Sequence, residues 1–305
     1  MIAIIAAILV SAAAGVAAEH RWPKRAVAGS QKSLLWILYL VLPPVTFFNL
    51  AHVDFDTDVV GGIALGIVST ALAGTAAWAI GSRLLGLSRP VVGAMVSCTI
   101  VANTAYLGYP MAATLLGSDK VGEAVAYDIG VGAPALLLGA FAVGAAFGTK
   151  AGTGRRQRTG AFFARNLPLY AGIAALVAPE SLAPDVLVDI SRVVVVAILP
   201  VGFFAVGTAL AQEADDGKVS LPPPITKATL VVIGTKLVLL PGLLLLLAMP
   251  LIDLPSTYLL MAAMPCGLNS MIVAHAYGLD LATTAEAVTW TTALVVVVAL
   301  AASFV

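Results

Sequence analysis

Two short runs hold polar and helix-breaking residues deep inside strongly apolar sequence: Asn-Thr-Ala-Tyr-Leu-Gly-Tyr-Pro (Asn103–Pro110) and Pro-Cys-Gly-Leu-Asn-Ser (Pro265–Ser270). The first offers Asn103, Thr104, Gly108 and Pro110, and the second Pro265, Cys266, Gly267, Asn269 and Ser270. A proline removes a backbone donor and clashes with the preceding helical turn, so each run interrupts a helix that its apolar surroundings would otherwise continue. Irregular backbone at membrane depth is tolerated where protein encloses it or where it lines a cavity. Carboxamides, hydroxyls and freed backbone N–H groups at a helix end suit non-covalent capture of an anion. One proline alone reads equally as an ordinary kink. Two of them, each near an asparagine, point to a site.

The same residues are poorly equipped to break bonds. His20, His52 and His275 are scattered, and no His-Glu-x-x-His spacing offers metal ligands. There is no Gly-x-Ser-x-Gly elbow, no phosphate-binding loop and no pair of aspartates within an apolar segment. No catalytic residue, metal or cofactor is expected. Intramembrane enzymes and membrane sensors are the competing classes, and a sensor would usually carry a soluble output domain.

The elements that must position these runs follow from composition. Of 305 residues, 60% are hydrophobic and 10% charged, with mean hydropathy +1.02; an average soluble domain has about 25% charged residues. Lipid is therefore the solvent for most of the chain. Zero net charge and the lack of a basic, aromatic-rich tract exclude nucleic acid as a partner. Cys98 and Cys266 both lie in apolar sequence and suggest no disulfide framework. Apolar runs mark ten helical spans, roughly 1–18, 34–51, 59–81, 91–116, 124–147, 166–179, 187–211, 225–248, 256–278 and 284–305. No Lys or Arg precedes the first run, which reads as a retained helix rather than a leader.

Thirteen of the sixteen Lys and Arg residues fall in alternate connections: Arg21, Lys24, Arg25 and Lys32; Arg83 and Arg89; Lys150, Arg155, Arg156, Arg158 and Arg165; Lys218 and Lys227. The positive-inside rule then places both termini outside and these connections in the cytoplasm. The basic linker 148–165 divides the chain into 1–147 and 166–305, with five spans each. An odd number of spans makes two similar halves inverted relative to each other. Pro-Val-Thr-Phe-Phe at Pro44 and Pro-Val-Gly-Phe-Phe at Pro200 stand 156 positions apart, and Pro110 and Pro265 stand 155 apart. The fold expected is an all-α membrane protein of two inverted five-helix repeats, in which helices four and nine are broken at corresponding places.

Charge inside the spans adds further candidates. Lys236 sits near the middle of the eighth, where a charge costs about 2.5–3.5 kcal/mol. It reads either as a fixed positive charge that draws an anion or replaces a coupling cation, or as half of a structural pair. Asp128 in the fifth span faces a cavity or the outer interface. His275 in the ninth reads as a coupling group or an interfacial histidine. Asp54–Asp58, Asp189 with Arg192, and Glu286 fit solvated loops, a helical-turn pair and a helix start. Phe47, Phe48, Phe203 and Phe204 suit an apolar wall of the site or simple helix packing. The second crossover holds no acidic residue, which argues against sodium coupling.

The chain resembles the auxin efflux carrier family, which includes plant PIN carriers and bacterial malate- and malonate-type permeases. The resemblance rests on Asn103–Pro110, on Met264–Asp280 with its Ala-x-x-Tyr-Gly-x-Asp ending, on Leu-Pro-Pro-Val-Thr-Phe-Phe-Asn-Leu, on Phe-Phe-Ala-Val-Gly-Thr-Ala-Leu-Ala, and on Arg-Asn-Leu-Pro-Leu-Tyr at Arg165. It covers essentially the whole chain in its compact bacterial form. It implies a scaffold of helices one, two, six and seven, a transport domain of the other six, organic anions as substrates, and homodimers. By motif, Asn103 matches the asparagine that binds the substrate carboxylate, and Pro110 and Pro265 match the crossing prolines. Asn166 matches a sixth-helix asparagine, with Asn-Leu-Pro standing where the family usually has Asn-Pro.

Overall fold

The computed structural model describes residues 2–50, 57–117, 120–152, 154–215 and 223–302. Those residues are built from helices: α1 (Ile2–Arg21), α2 (Pro23–Trp36), α3 (Leu42–Leu50), α4 (Thr57–Ala79), α5 (Arg89–Ile100), α6 (Tyr109–Leu115), α7 (Val121–Tyr127), α8 (Phe141–Phe147) and α9 (Arg155–Arg165). They continue as α10 (Leu167–Val177), α11 (Asp185–Ala197), α12 (Leu199–Asp215), α13 (Lys227–Ile233), α14 (Leu240–Ala248), α15 (Ser256–Ala262), α16 (Asn269–Tyr277) and α17 (Leu281–Ala302). Several short helices join through wider π turns into longer rods, α2 to α3 through Ile37–Val41 and α13 to α14 through Gly234–Leu239.

Five rods are long and apolar enough to cross a bilayer: Pro23–Phe48, Val60–Leu84, Gly122–Phe147, Lys227–Ala248 and Leu281–Ala299. Arg89–Ile100 and Pro200–Ala209 are shorter apolar helices. Large apolar side chains such as Leu9, Val10, Val177, Val186, Leu246 and Val297 point outward, which suits a lipid solvent. The chain is an all-helical, multi-pass membrane protein.

Each expected span has helical counterparts, with three corrections. The second rod starts at Pro23 rather than near residue 34, because the stretch containing Lys24, Arg25 and Lys32 is itself helical and only Trp22 separates it from α1. The seventh divides into α11 and α12 ahead of Pro200, which has no N–H to continue the ladder. Glu286 is not an exposed helix-start residue. It lies inside α17, 2% exposed, and its Oε2 accepts from the Thr226 and Thr229 hydroxyls. The Asp54–Asp58 run falls largely outside the described residues, as do Lys218 and the Arg192 side chain.

Helix packing sorts into two groups. In the first, α1 lies along α12, α3 along α10 and α11, and α2 against α12. Small residues allow the closest of these contacts, as is usual between membrane helices. A Cβ on Gly15 would collide with the Phe204 carbonyl, and one on Gly207 with the Ala12 carbonyl. In the second, α4 packs on α5 and α14, α5 on α8 and α17, and α16 on α8 and α17. The site lies where these groups meet.

Candidate functional site

The apolar rod that begins with α5 ends at Ile100, and the one that begins with α15 ends at Ala262. Each break leaves backbone donors and acceptors that lipid cannot satisfy. The two breaks satisfy each other. Asn103 N donates to Pro265 O (2.8 Å) and Gly267 N to Val101 O (2.8 Å), which makes Ala102 and Cys266 an isolated antiparallel pair. Cys266 N donates sideways to Thr291 Oγ1 on α17 (3.1 Å). Gly267 is needed for this approach, since a Cβ there would stand 2.7 Å from Ala102 O and 2.8 Å from Val101 Cγ1.

The two prolines take different places. Pro265 stands in its break and supplies the carbonyl that Asn103 uses. Pro110 does not break its rod. The chain is helical again from Thr104, first as a π turn (Thr104–Gly108) and then as α6, with Pro110 its second residue. Pro110 is thus the seventh residue of a helical stretch that starts at Thr104, and the discontinuity falls at Val101–Asn103, well before it. Gly108 backs onto Met261 and Met264, where a Cβ would come within 2.8 Å of the Met261 sulfur.

A cavity of about 120 Å³ opens on one side of the crossing. Leu42, Val45 and Thr46 of α3 form one wall, Val101–Ala105 and Gly267–Asn269 the second, and residues between Asp128 and Leu137 the third. Asn103 is 2% exposed, and neither its Oδ1 nor its Nδ2 has a partner among the described residues. Asn269, the first residue of α16, likewise presents an unpartnered Oδ1. A buried polar group without a partner costs about 1–3 kcal/mol, so a carboxamide in this state is poised for a ligand. Asp128 shares the cavity. Its carboxylate accepts from the Thr104 hydroxyl and from Tyr109 OH (2.6 Å). No Lys, Arg or His is among the lining residues. A second unit negative charge about 5 Å from Asp128 would be repelled by about 3 kcal/mol at an effective dielectric constant near 20.

The remaining candidates lie off the cavity. Cys266 is fully buried and absent from the lining, and its thiol meets that of Cys98. Lys236 is 1% exposed, and no carboxylate of a described residue pairs with it. Ser270 Oγ donates to Ser97 O across the same interface (3.4 Å). Asn166 is fully buried and structural in its contacts: its Oδ1 caps α10 by accepting from Leu169 N (3.3 Å), and its Nδ2 donates to Leu137 O (2.6 Å). His275 sits in the last turn of α16, where its carbonyl takes the Lys150 ammonium (2.8 Å). Phe47, Phe48, Phe203 and Phe204 are absent from the lining; Val45, Thr46 and Leu42 stand there instead. Tyr109 went unremarked in sequence although it lies inside the first polar run. Thr46 carried a weaker signal, as the one hydroxyl in Pro-Val-Thr-Phe-Phe.

Fold and site thus define a multi-pass helical membrane protein with an internal cavity where two interrupted helical rods cross. Among proteins of known sequence, the chain is similar to an uncharacterized transporter, MJ1031, of Methanocaldococcus jannaschii, with 23% identity over 144 residues. The match covers 46% of this chain and 45% of that protein, so the chain spans about half the length of its relative. No family model matches the chain. The likeness is to a transporter, in keeping with the membrane-spanning helices.

Proposed function

We propose that this protein is a secondary transporter that carries a small organic carboxylate, auxin-like or a dicarboxylate such as malate, across the cell membrane by alternating access. The observation that carries the reading is the Asn103 carboxamide, buried and without a described protein partner, at the wall of the cavity where the two rods cross. Asn103 Nδ2 would donate to the carboxylate. The start of α16 at Asn269 would add the positive end of a helix dipole from the opposite wall. Thr104 and Gly267 complete that wall.

Support for an inverted repeat of the auxin-efflux-carrier type comes from contacts that exchange between the halves. α1 lies on α12 as α10 lies on α3, and each half sends one broken rod to the crossing. On this reading α1–α3 and α10–α12 form the scaffold. The remaining rods move against it, carrying the cavity wall past Leu42, Val45 and Thr46, with both chain termini outside.

The test is binding of malate, lactate, benzoate and indole-3-acetate to purified protein, followed by uptake into proteoliposomes. At least one acid should raise the melting temperature of the wild type and enter vesicles, while Asn103→Ala weakens binding tenfold or more. Equal binding by both proteins would move the site elsewhere, and an absence of both binding and uptake would remove the carboxylate reading.

A further inference from the structure

We propose that Asp128 is the proton carrier of this transporter, taking up one proton for each organic anion bound. The inference rests on the carboxylate reading above and adds a coupling ion to it.

The argument begins with charge. Among the cavity-lining residues Asp128 is the one that ordinarily carries charge, and no cation accompanies it there. The residue proposed to hold the ligand and those that hold Asp128 are neighbours in sequence: Asn103 lines the cavity, while Thr104 and Tyr109 reach Asp128. An anion drawn to Asn103 therefore arrives beside a carboxylate. Two carboxylates sharing one site do not both stay ionised. Protonation of Asp128 removes the conflict within its existing contacts, because the Thr104 and Tyr109 hydroxyls can turn from donating to accepting.

The other titratable or charged groups near Asp128 are few. Tyr109 touches it from α6. On its own rod, Tyr127 precedes it and turns toward Tyr258 (ring centroids 5.2 Å apart). Glu123 lies five residues earlier, where it pairs with Lys120. From α4, Gly66 faces Tyr127 and Val131, and the acidic residue of that helix, Asp58, comes two turns earlier. Lys236 and Cys266 lie across the crossing, off the cavity. None of these supplies a cation to the cavity.

The step balances without a further reactant. Hydronium on the loading side gives one H⁺ to an Asp128 oxygen as the anion binds, leaving water, and on the other side the O–H bond breaks and water takes the proton as the anion leaves. With a monoanion such as lactate, empty and loaded sites then carry the same net charge of minus one and the cycle is electroneutral, whereas a malate dianion leaves the loaded site at minus two and its cycle moves one negative charge. Low pH favours loading because the binding form is the protonated one.

Two measurements test this. In the first, lactate and malate bind to the purified full chain in weak buffer containing a pH indicator. The wild type should take up about one proton per anion bound, and Asp128→Asn none. In the second, proteoliposomes with clamped membrane potential take up radiolabelled lactate or malate, with leakage through protein-free vesicles subtracted. An inside-alkaline gradient of one pH unit should raise wild-type uptake several-fold over exchange at equal pH. For Asp128→Asn that ratio should fall to about one. The proposal is overturned if the wild type binds an anion without proton uptake, or if Asp128→Asn keeps the wild-type ratio. It is also overturned if amino acids displace the anion in the wild type but not in Asp128→Asn, since Asp128 would then hold an ammonium group. If neither acid binds or enters with the wild type, the carboxylate reading fails first and takes this inference with it.

Discussion

The two helix breaks meet at one point but are made differently. The second, between Ala262 and Asn269, contains Pro265, Gly267 and a donor, Cys266 N, tied to Thr291 of α17. The first, Val101–Asn103, contains neither proline nor glycine and is held open by its partner, through the bonds Asn103 N to Pro265 O and Gly267 N to Val101 O. One break is written into local sequence, and the other is imposed by the crossing. Their side chains divide correspondingly. Toward the cavity, Asn103 and Asn269 keep polar atoms unsatisfied, whereas on the far side Cys98, Cys266, Ser270 and Lys236 are packed out of reach of it.

The sharpest way to break this arrangement is at Gly267. A valine there would drive its Cβ into Ala102 O and Val101 Cγ1, and flexible side-chain motion cannot relieve a contact with backbone. Overpacking of this kind costs about 1–3 kcal/mol, and here it would also pull apart the two hydrogen bonds that join the breaks. Gly267→Val should give the largest fall in melting temperature of the single changes considered, together with loss of ligand-induced stabilisation. A stable Gly267→Val protein would mean that the crossing does not depend on this close approach.

Thr291→Val comes next. It keeps the shape of the side chain but leaves Cys266 N without its acceptor in a fully buried place. The expected loss is about 1–3 kcal/mol, read as a lower midpoint in thermal unfolding. Asn103→Ala should behave in the opposite sense. Removing a buried carboxamide that has no described partner should leave stability unchanged or slightly raised, within about 1 kcal/mol, while ligand binding is lost. A large destabilisation by Asn103→Ala would show that its side chain supports the fold, contrary to the functional reading.

How much of this could be read from sequence differs by residue. Membrane class and helical content follow from composition, because no soluble core could bury so much apolar surface. The interruption near Pro265 is legible from Pro, Gly and Asn close together. The interruption at Val101–Asn103 is not, since its cause lies 164 positions away in Cys266. Asp128 stood near the end of an apolar run, where an interfacial carboxylate is ordinary. Only the π turns Thr104–Gly108 and Asp128–Gly132, set side by side, bring Thr104 and Tyr109 to it. Asn166 shows the converse, with a motif position filled but its side chain spent on capping α10 and bonding Leu137.

Pro110 gives the smallest expected effect and the finest test of the comparison. Two prolines at matching positions invite the inference that both make the crossing, and Pro265 does stand in it. Pro110 instead sits seven residues beyond its break, at the second position of a helix that was already under way through the π turn. Its fixed φ is helical, and the amide that it lacks is one bond of the ladder. Replacing it with alanine restores one N–H and relaxes one ring, a change of about 0.5 kcal/mol in either direction. Pro110→Ala should therefore retain a near-wild-type melting temperature and tight ligand binding. Should Pro110→Ala instead abolish binding as Asn103→Ala does, the proline would be setting the geometry of the first break from a distance. The distinction between a break encoded locally and one imposed by its partner would then fail.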